Sequence, residues 1–246
     1  MHLTVLTGAS RGLGKALLDQ LLQRGHLVLA LSRSNIDVSP GHSGPFFHWP
    51  VDLSDAAPVA LRLSHWLSER DSRNLASATL INNAGVVSKL APLSDVSAPD
   101  LVNALRVGLE APTLLTAAFL KATENWPVPR KVLLVSSGLG RRAMAASASY
   151  CAAKAGLDHL ARAVALEELA KPAGARIVSL APGVIDTDMQ VQLRAADPAL
   201  FPERHRFTEL KSAGQLDSPV TAASKLLTYL DRVDFGSPAV GDVRDV

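Results

Sequence analysis

The amino-acid sequence predicts an α/β fold, a single doubly wound parallel sheet with helices on both faces. Three observations carry this expectation. Short β-rich runs alternate with longer helical patterns along the whole chain. The short runs are apolar throughout rather than alternating in polarity, as strands covered on both sides must be. The first run ends in a glycine-rich turn that opens a helix. At 246 residues, 48% of them hydrophobic, the chain suffices for one domain with a sizeable core.

Each element has its own warrant. Leu3–Thr7, Leu27–Leu31, Thr79–Asn82, Lys131–Ser136 and Arg176–Leu180 read as buried parallel strands, with a further strand near Ala239–Val243 to close the sheet. Leu13–Arg24 sets leucines at 13, 17, 18, 21 and 22, a helical stripe. Ala56–Arg70 is the next helix, and Pro99–Lys121 is a long one opened by a proline in its first turn. Ser149–Lys171, rich in alanine and leucine, stops before Pro172. Asn35–Pro50 loops out ahead of a short strand-like piece at His48–Val51. Residues 186–215 are too long for a plain connection and predict a partly helical substrate lid.

Bulk properties narrow the function. A formal charge of +2 with scattered arginines argues against a nucleic-acid partner. No apolar run approaches the roughly 20 residues of a membrane span. The chain starts directly into a strand, without a basic segment or cleavage site, and its single cysteine, Cys151, fits a reducing compartment. A cytoplasmic location is the expectation. The histidines show no metal-ligand spacing, and Cys151 reads as a packed residue, so no metal site is expected.

Tyr150 and Lys154 stand four residues apart on a predicted helix, after Ser137 at the end of a predicted strand. That spacing puts phenol and ammonium on one helix face. A fixed positive charge there favours the phenolate. A serine hydroxyl from the strand can then hold a carbonyl or alcohol oxygen between itself and the tyrosine. These are the expected catalytic residues, with Ser137 and Tyr150 also contacting substrate.

The cofactor end lies in Gly8, Ser10, Arg11, Gly12, Leu13 and Gly14, between first strand and first helix. Gly8 permits the tight turn, and Gly12 and Gly14 allow a pyrophosphate to approach the helix N-terminus. No carboxylate closes the second strand. Arg33 stands there instead and, with Arg11, forms a clasp for a 2′-phosphate, so NADP(H) is expected over NAD(H). Taken singly, each arginine also reads as a solvated surface charge. Asp52 and Leu53 are expected to face the adenine, and Asn82, Asn83, Ala84 and Gly85 end the fourth strand on the cofactor side, where either asparagine reads equally as serving local backbone groups.

TGASRGLG (7–14), NNAG (82–85), SS (136–137), YCAAK (150–154) and PG followed by Thr187 occur in this order over most of the chain. Together they resemble the short-chain dehydrogenase/reductase family. The resemblance implies one Rossmann-type NADP-binding domain over residues 1–246 with a homodimeric or homotetrameric assembly. It implies Tyr150 as acid-base, Lys154 lowering its pKa and holding the nicotinamide ribose, and Ser137 orienting the carbonyl. Pro182, Gly183, Val184 and Thr187 would line the nicotinamide. The family's helix asparagine falls at Gly108 here, and Asn103 lies more than a turn away. The C-terminal third resembles the sepiapterin reductase branch with its diketone (benzil) reductases, which implies Asp242 as a substrate-anchoring carboxylate; it also reads as a solvated terminal acid. The reaction implied is NADPH-dependent reduction of a small-molecule ketone or vicinal diketone. A 3-oxoacyl or general hydroxy-substrate dehydrogenase and a non-catalytic NADP sensor are the alternatives.

Overall fold

The computed structural model describes residues 1–38, 41 and 43–245; Ser39, Pro40 and His42 of the Asn35–Pro50 loop, and Val246, lie outside them. Seven strands form one sheet: β1 (His2–Thr7), β2 (Leu27–Ser32), β3 (Phe46–Pro50), β4 (Ser77–Asn82), β5 (Arg130–Val135), β6 (Arg176–Ala181) and β7 (Val240–Asp242). They lie in the order β3-β2-β1-β4-β5-β6-β7, and every pairing is parallel. The order reverses between β1 and β4, where an open α/β sheet leaves a crevice at its carboxyl edge.

Side chains of each strand alternate between two apolar layers. Leu6, Val28, Ala30, Ile81, Leu133 and Val178 face α1 (Gly12–Gln23) on one side. Leu3, Val5, Leu29, Leu80, Val132 and Leu134 face the other, against α2 (Ala56–Ser68). This two-sided burial is why the strands read as unbroken apolar runs.

The predicted Pro99–Lys121 helix is a composite: α3 (Ala98–Leu105), a π-helical segment (Arg106–Glu110) and α4 (Ala111–Thr123). Pro112 explains the widening. It has no N–H for the carbonyl of Gly108 four residues back, and its ring crowds that carbonyl. The helix carrying Tyr150 is α5 (Ala148–Leu169). Beyond β6 follow α6 (Asp188–Ala195), α7 (Arg204–Ser212) and α8 (Pro219–Leu230). The third strand starts at Phe46, earlier than the expected His48, because β2 offers it partners from Val28 onward. Among the described residues no helix is long and apolar enough to cross a membrane.

Candidate active site

The carboxyl ends of β1, β2 and β4 open onto a cavity of about 540 Å³. Its walls include Gly8, Ser10, Arg11, Gly12, Leu13, Gly14, Arg33, Asp52, Leu53, Asn83, Ala84, Gly85 and Thr187. Sequence reasoning missed Ser34, Asn103, Asp188 and Gln192, which also line it. Tyr150, Lys154, Pro182, Gly183 and Val184 are not part of this wall.

The glycines answer to close approach. A Cβ on Gly14 would lie 2.0 Å from the carbonyl oxygen of Gly8, and one on Gly8 would lie 2.9 Å from Cα of Ala84. Gly8 also has φ +69°. Asn83 locks the turn by donating its Nδ2 to the carbonyls of Thr7 (3.0 Å) and Gly8 (3.2 Å). Asn82 is buried and donates to Thr116 Oγ1 at 3.2 Å. Thus both asparagines serve the scaffold, and only Asn83 also borders the cavity. The N-terminus of α1 has no side-chain cap and no acid in its first turn, so its N–H groups remain available to an anion. At the end of β2, Ser32 is tied to the Ser34 carbonyl at 2.9 Å, and Arg33 stands exposed on the wall. Arg11 donates to Asp188 at 3.0 Å. Asp52 caps the turn at Leu53–Asp55 by accepting from the Ser54 N–H at 2.9 Å. That bond holds its carboxyl below the usual range. A glycine cradle, a bare helix end and an arginine in place of a carboxylate fit a phosphorylated dinucleotide.

Ser137 follows β5 and caps the turn Gly138–Gly140, its Oγ accepting from the Leu139 N–H at 3.2 Å. Tyr150 reaches toward it from the first turn of α5, close enough for the Ser137 hydroxyl to act on the phenol. Lys154 is 4% exposed and donates from Nζ to the Val135 carbonyl at 2.8 Å, with Nζ 5.6 Å from the Tyr150 ring centroid. Burial pushes the Tyr150 phenol up to about 12, outweighing the lowering effect of the Ser137 hydroxyl. Burial also pushes Lys154 down to about 8, opposed by the charge of Asp158. The expected lowering of the phenol by Lys154 does not show in the free protein, where burial sets the direction. Desolvation dominates, Lys154 being buried and Tyr150 partly buried, with the ammonium turned to the Val135 carbonyl. The phenol is protonated through neutral pH, the state that gives a proton away.

Gly108 meets α5 closely. A Cβ there would lie 3.0 Å from Cβ of Ala153, beside Lys154, so the small residue serves helix contact. Asp242 is already paired in the free protein. Its side chain is 8% exposed, and Arg244 grips both oxygens, Nε to Oδ1 at 2.8 Å and Nη2 to Oδ2 at 2.6 Å. Arg244 lies in the turn just past β7, where its own N–H also donates to Asp242 Oδ1 at 3.0 Å, and its side chain folds back onto the carboxylate. That arginine holds the carboxyl below its usual range, leaving no free acid to anchor a substrate. Beside the Ser–Tyr pair, Leu90, Met144, Leu193 and Phe201 form an apolar cluster against which Leu139, Cys151 and Met189 pack.

The model of the short chain dehydrogenase family matches residues 2–198, and the chain belongs to that family. It is an oxidoreductase that works with a nicotinamide cofactor on carbonyl or hydroxyl groups. The chain is 34% identical over 240 residues to a benzil reductase ((S)-benzoin forming) of Bacillus cereus, covering 96% of each chain. It is 34% identical over 257 residues to sepiapterin reductase of Meriones unguiculatus, covering 98% of this chain and 95% of that one. A putative 2-deoxy-D-gluconate 3-dehydrogenase from Agrobacterium tumefaciens with bound NADP superposes with a TM-score of 0.77 at 25% identity, over 98% of this chain and 94% of that one.

Proposed function

We propose that this chain is an NADPH-dependent carbonyl reductase that converts an apolar ketone or vicinal diketone to a secondary alcohol. The observation that carries the reading is that Tyr150, in the first turn of α5, and Ser137, just past β5, come together beside the apolar cluster around Leu90, Met144 and Phe201. Arg33 and Arg11 on the cavity wall, with no acid ending β2, support the phosphorylated cofactor. When bound, NADPH supplies the hydride. Ser137 donates a hydrogen bond to the substrate oxygen, where negative charge develops. Tyr150 gives its O–H proton to that oxygen, an assistance of roughly 10²–10⁴-fold. Lys154 borders the phenol and, below about pH 8, carries a charge that favours the phenolate left behind.

The engaged state of Asp242 favours a diketone over an amino-pterin, since the N–H donors of an amino-pyrimidine ring find no unpaired carboxylate there. The substrate segment at 186–215, in which α6 and α7 form, supplies Leu193 and Phe207 to the apolar side. We therefore assign it as the lid. The test is oxidation of NADPH with benzil by wild type and Tyr150→Phe. Turnover that falls at least about 100-fold in the variant, with NADPH binding retained, supports the mechanism. Equal rates in the two would refute it.

A further inference from the structure

Asp158 lies on α5, one turn beyond Lys154, and is 1% exposed. Its Oδ1 accepts from Ser136 Oγ at 2.6 Å and from Ser179 Oγ at 2.7 Å, joining β5 and β6 behind the site. Its Oδ2 is met by Nη1 of Arg141 at 3.3 Å. Nη2 of the same guanidinium stands 3.7 Å from Oδ2 of Asp242 on β7. Arg141 closes the turn that Ser137 opens. Its N–H donates to the Gly138 carbonyl at 3.2 Å, and the Gly140 N–H donates to the Ser137 carbonyl at 2.9 Å. The turn lies directly on the carboxylate, for a Cβ on Gly140 would come within 2.8 Å of Asp158 Oδ2.

We propose that Arg141 is a positioning residue for Ser137, clamped between Asp158 and Asp242 so that the last strand of the sheet becomes part of the active-site scaffold. A buried carboxylate is costly unless its lone pairs are met. The two serines satisfy one oxygen of Asp158, and Arg141 satisfies the other. Displacing the turn would strip that oxygen of its cation, so the buried charge holds the turn in place. A donor aimed at developing charge needs such stiffness, because misplacement by about 1 Å can cost roughly 100-fold. Asp242 acts here from outside the substrate site, as the second jaw of the clamp.

The kinetic arm of the test rests on the carbonyl-reductase reading, whereas the exchange arm does not. In Arg141→Met, amide hydrogen exchange across residues 137–142 should quicken by about tenfold, with β1 and α2 unchanged. Asp242→Asn should quicken the same segment. Unchanged exchange in both variants overturns the clamp, whatever the enzyme reduces. With benzil and NADPH, Arg141→Met should lower kcat by about tenfold at constant KM for NADPH, and Arg141→Lys should recover part of the loss. In a Ser137→Ala background the same substitution should cost nothing further, since the residue it positions is gone. An equal loss in both backgrounds overturns the role. Absence of benzil turnover by wild type counts against the carbonyl-reductase reading alone and leaves the exchange result to decide the clamp.

Discussion

The guanidinium of Arg11, on the glycine-rich turn, lies 3.0 Å from the carboxylate of Asp188, the first residue of α6. Both side chains are mostly exposed, 70% and 66%, so the pair adds little to stability. Its consequence is for binding. Both residues line the cavity, and Asp188 competes with any 2′-phosphate for Arg11. Asp188→Asn is expected to tighten NADPH binding several-fold while leaving NADH and the melting temperature unchanged. Fluorescence titration of both cofactors checks it, and a parallel change for NADH would remove the phosphate argument.

Arg33 forms no ion pair among the described residues, the nearby Asp52 feeling its charge without bonding to it, and it stands where an acid would meet ribose hydroxyls. Loss of a charge-assisted phosphate contact is worth about 1.5–3 kcal/mol. Arg33→Ala should therefore weaken NADPH by at least tenfold with NADH little affected. Comparison of kcat/KM for the two cofactors measures this directly.

Lys154 makes apo-protein stability depend on pH with a definite sign. Its folded pKa of about 8 lies below the ordinary lysine value of 10.5. Between these values the unfolded chain holds more protons, so stability rises with pH through this window and the contribution is lost as pH falls through about 8. Tyr150 has the opposite sign, its raised pKa of about 12 contributing stability that is lost only above the ordinary tyrosine value of 10.0. Urea unfolding of wild type and Lys154→Met at pH 8 and pH 10 isolates the lysine. The wild type should gain on the variant by roughly 1 kcal/mol or more across that step. A difference independent of pH would show that Lys154 keeps its ordinary pKa.

Ala146, next to the start of α5, has φ +59°. A residue with a Cβ pays about 1–2 kcal/mol there, partly offset in glycine by the entropy of the unfolded chain. Ala146→Gly should raise stability by about 0.5–1 kcal/mol with kcat intact. Chemical denaturation tests the first expectation and turnover the second. A destabilised variant would show that contacts of the methyl group outweigh the backbone cost.

Much of the scaffold was legible in the sequence because it rests on local rules. A glycine-rich turn between an apolar run and a leucine stripe marks the β1–α1 crossover whatever surrounds it. Tyr150 and Lys154 share a helix face because α-helical spacing requires it. Five of the strand assignments agree with β1, β2, β4, β5 and β6 to within a few residues, because both-sided burial leaves each an uninterrupted apolar run. The π-helical segment was readable in principle from Pro112 but competed with a continuous helical pattern.

The sequence by itself determined the parallel α/β class, the phosphate turn and the grouping of Tyr150 with Lys154, since all of these depend on near neighbours in the chain. The tertiary structure decided the charges. Only the placement of β7 beside β6 brings Asp242 to Arg141, 101 positions away, and makes a would-be substrate anchor part of a salt-bridged clamp. Only packing around α5 buries Lys154 and partly buries Tyr150, and desolvation, which no spacing rule reports, then shifts their pKa values.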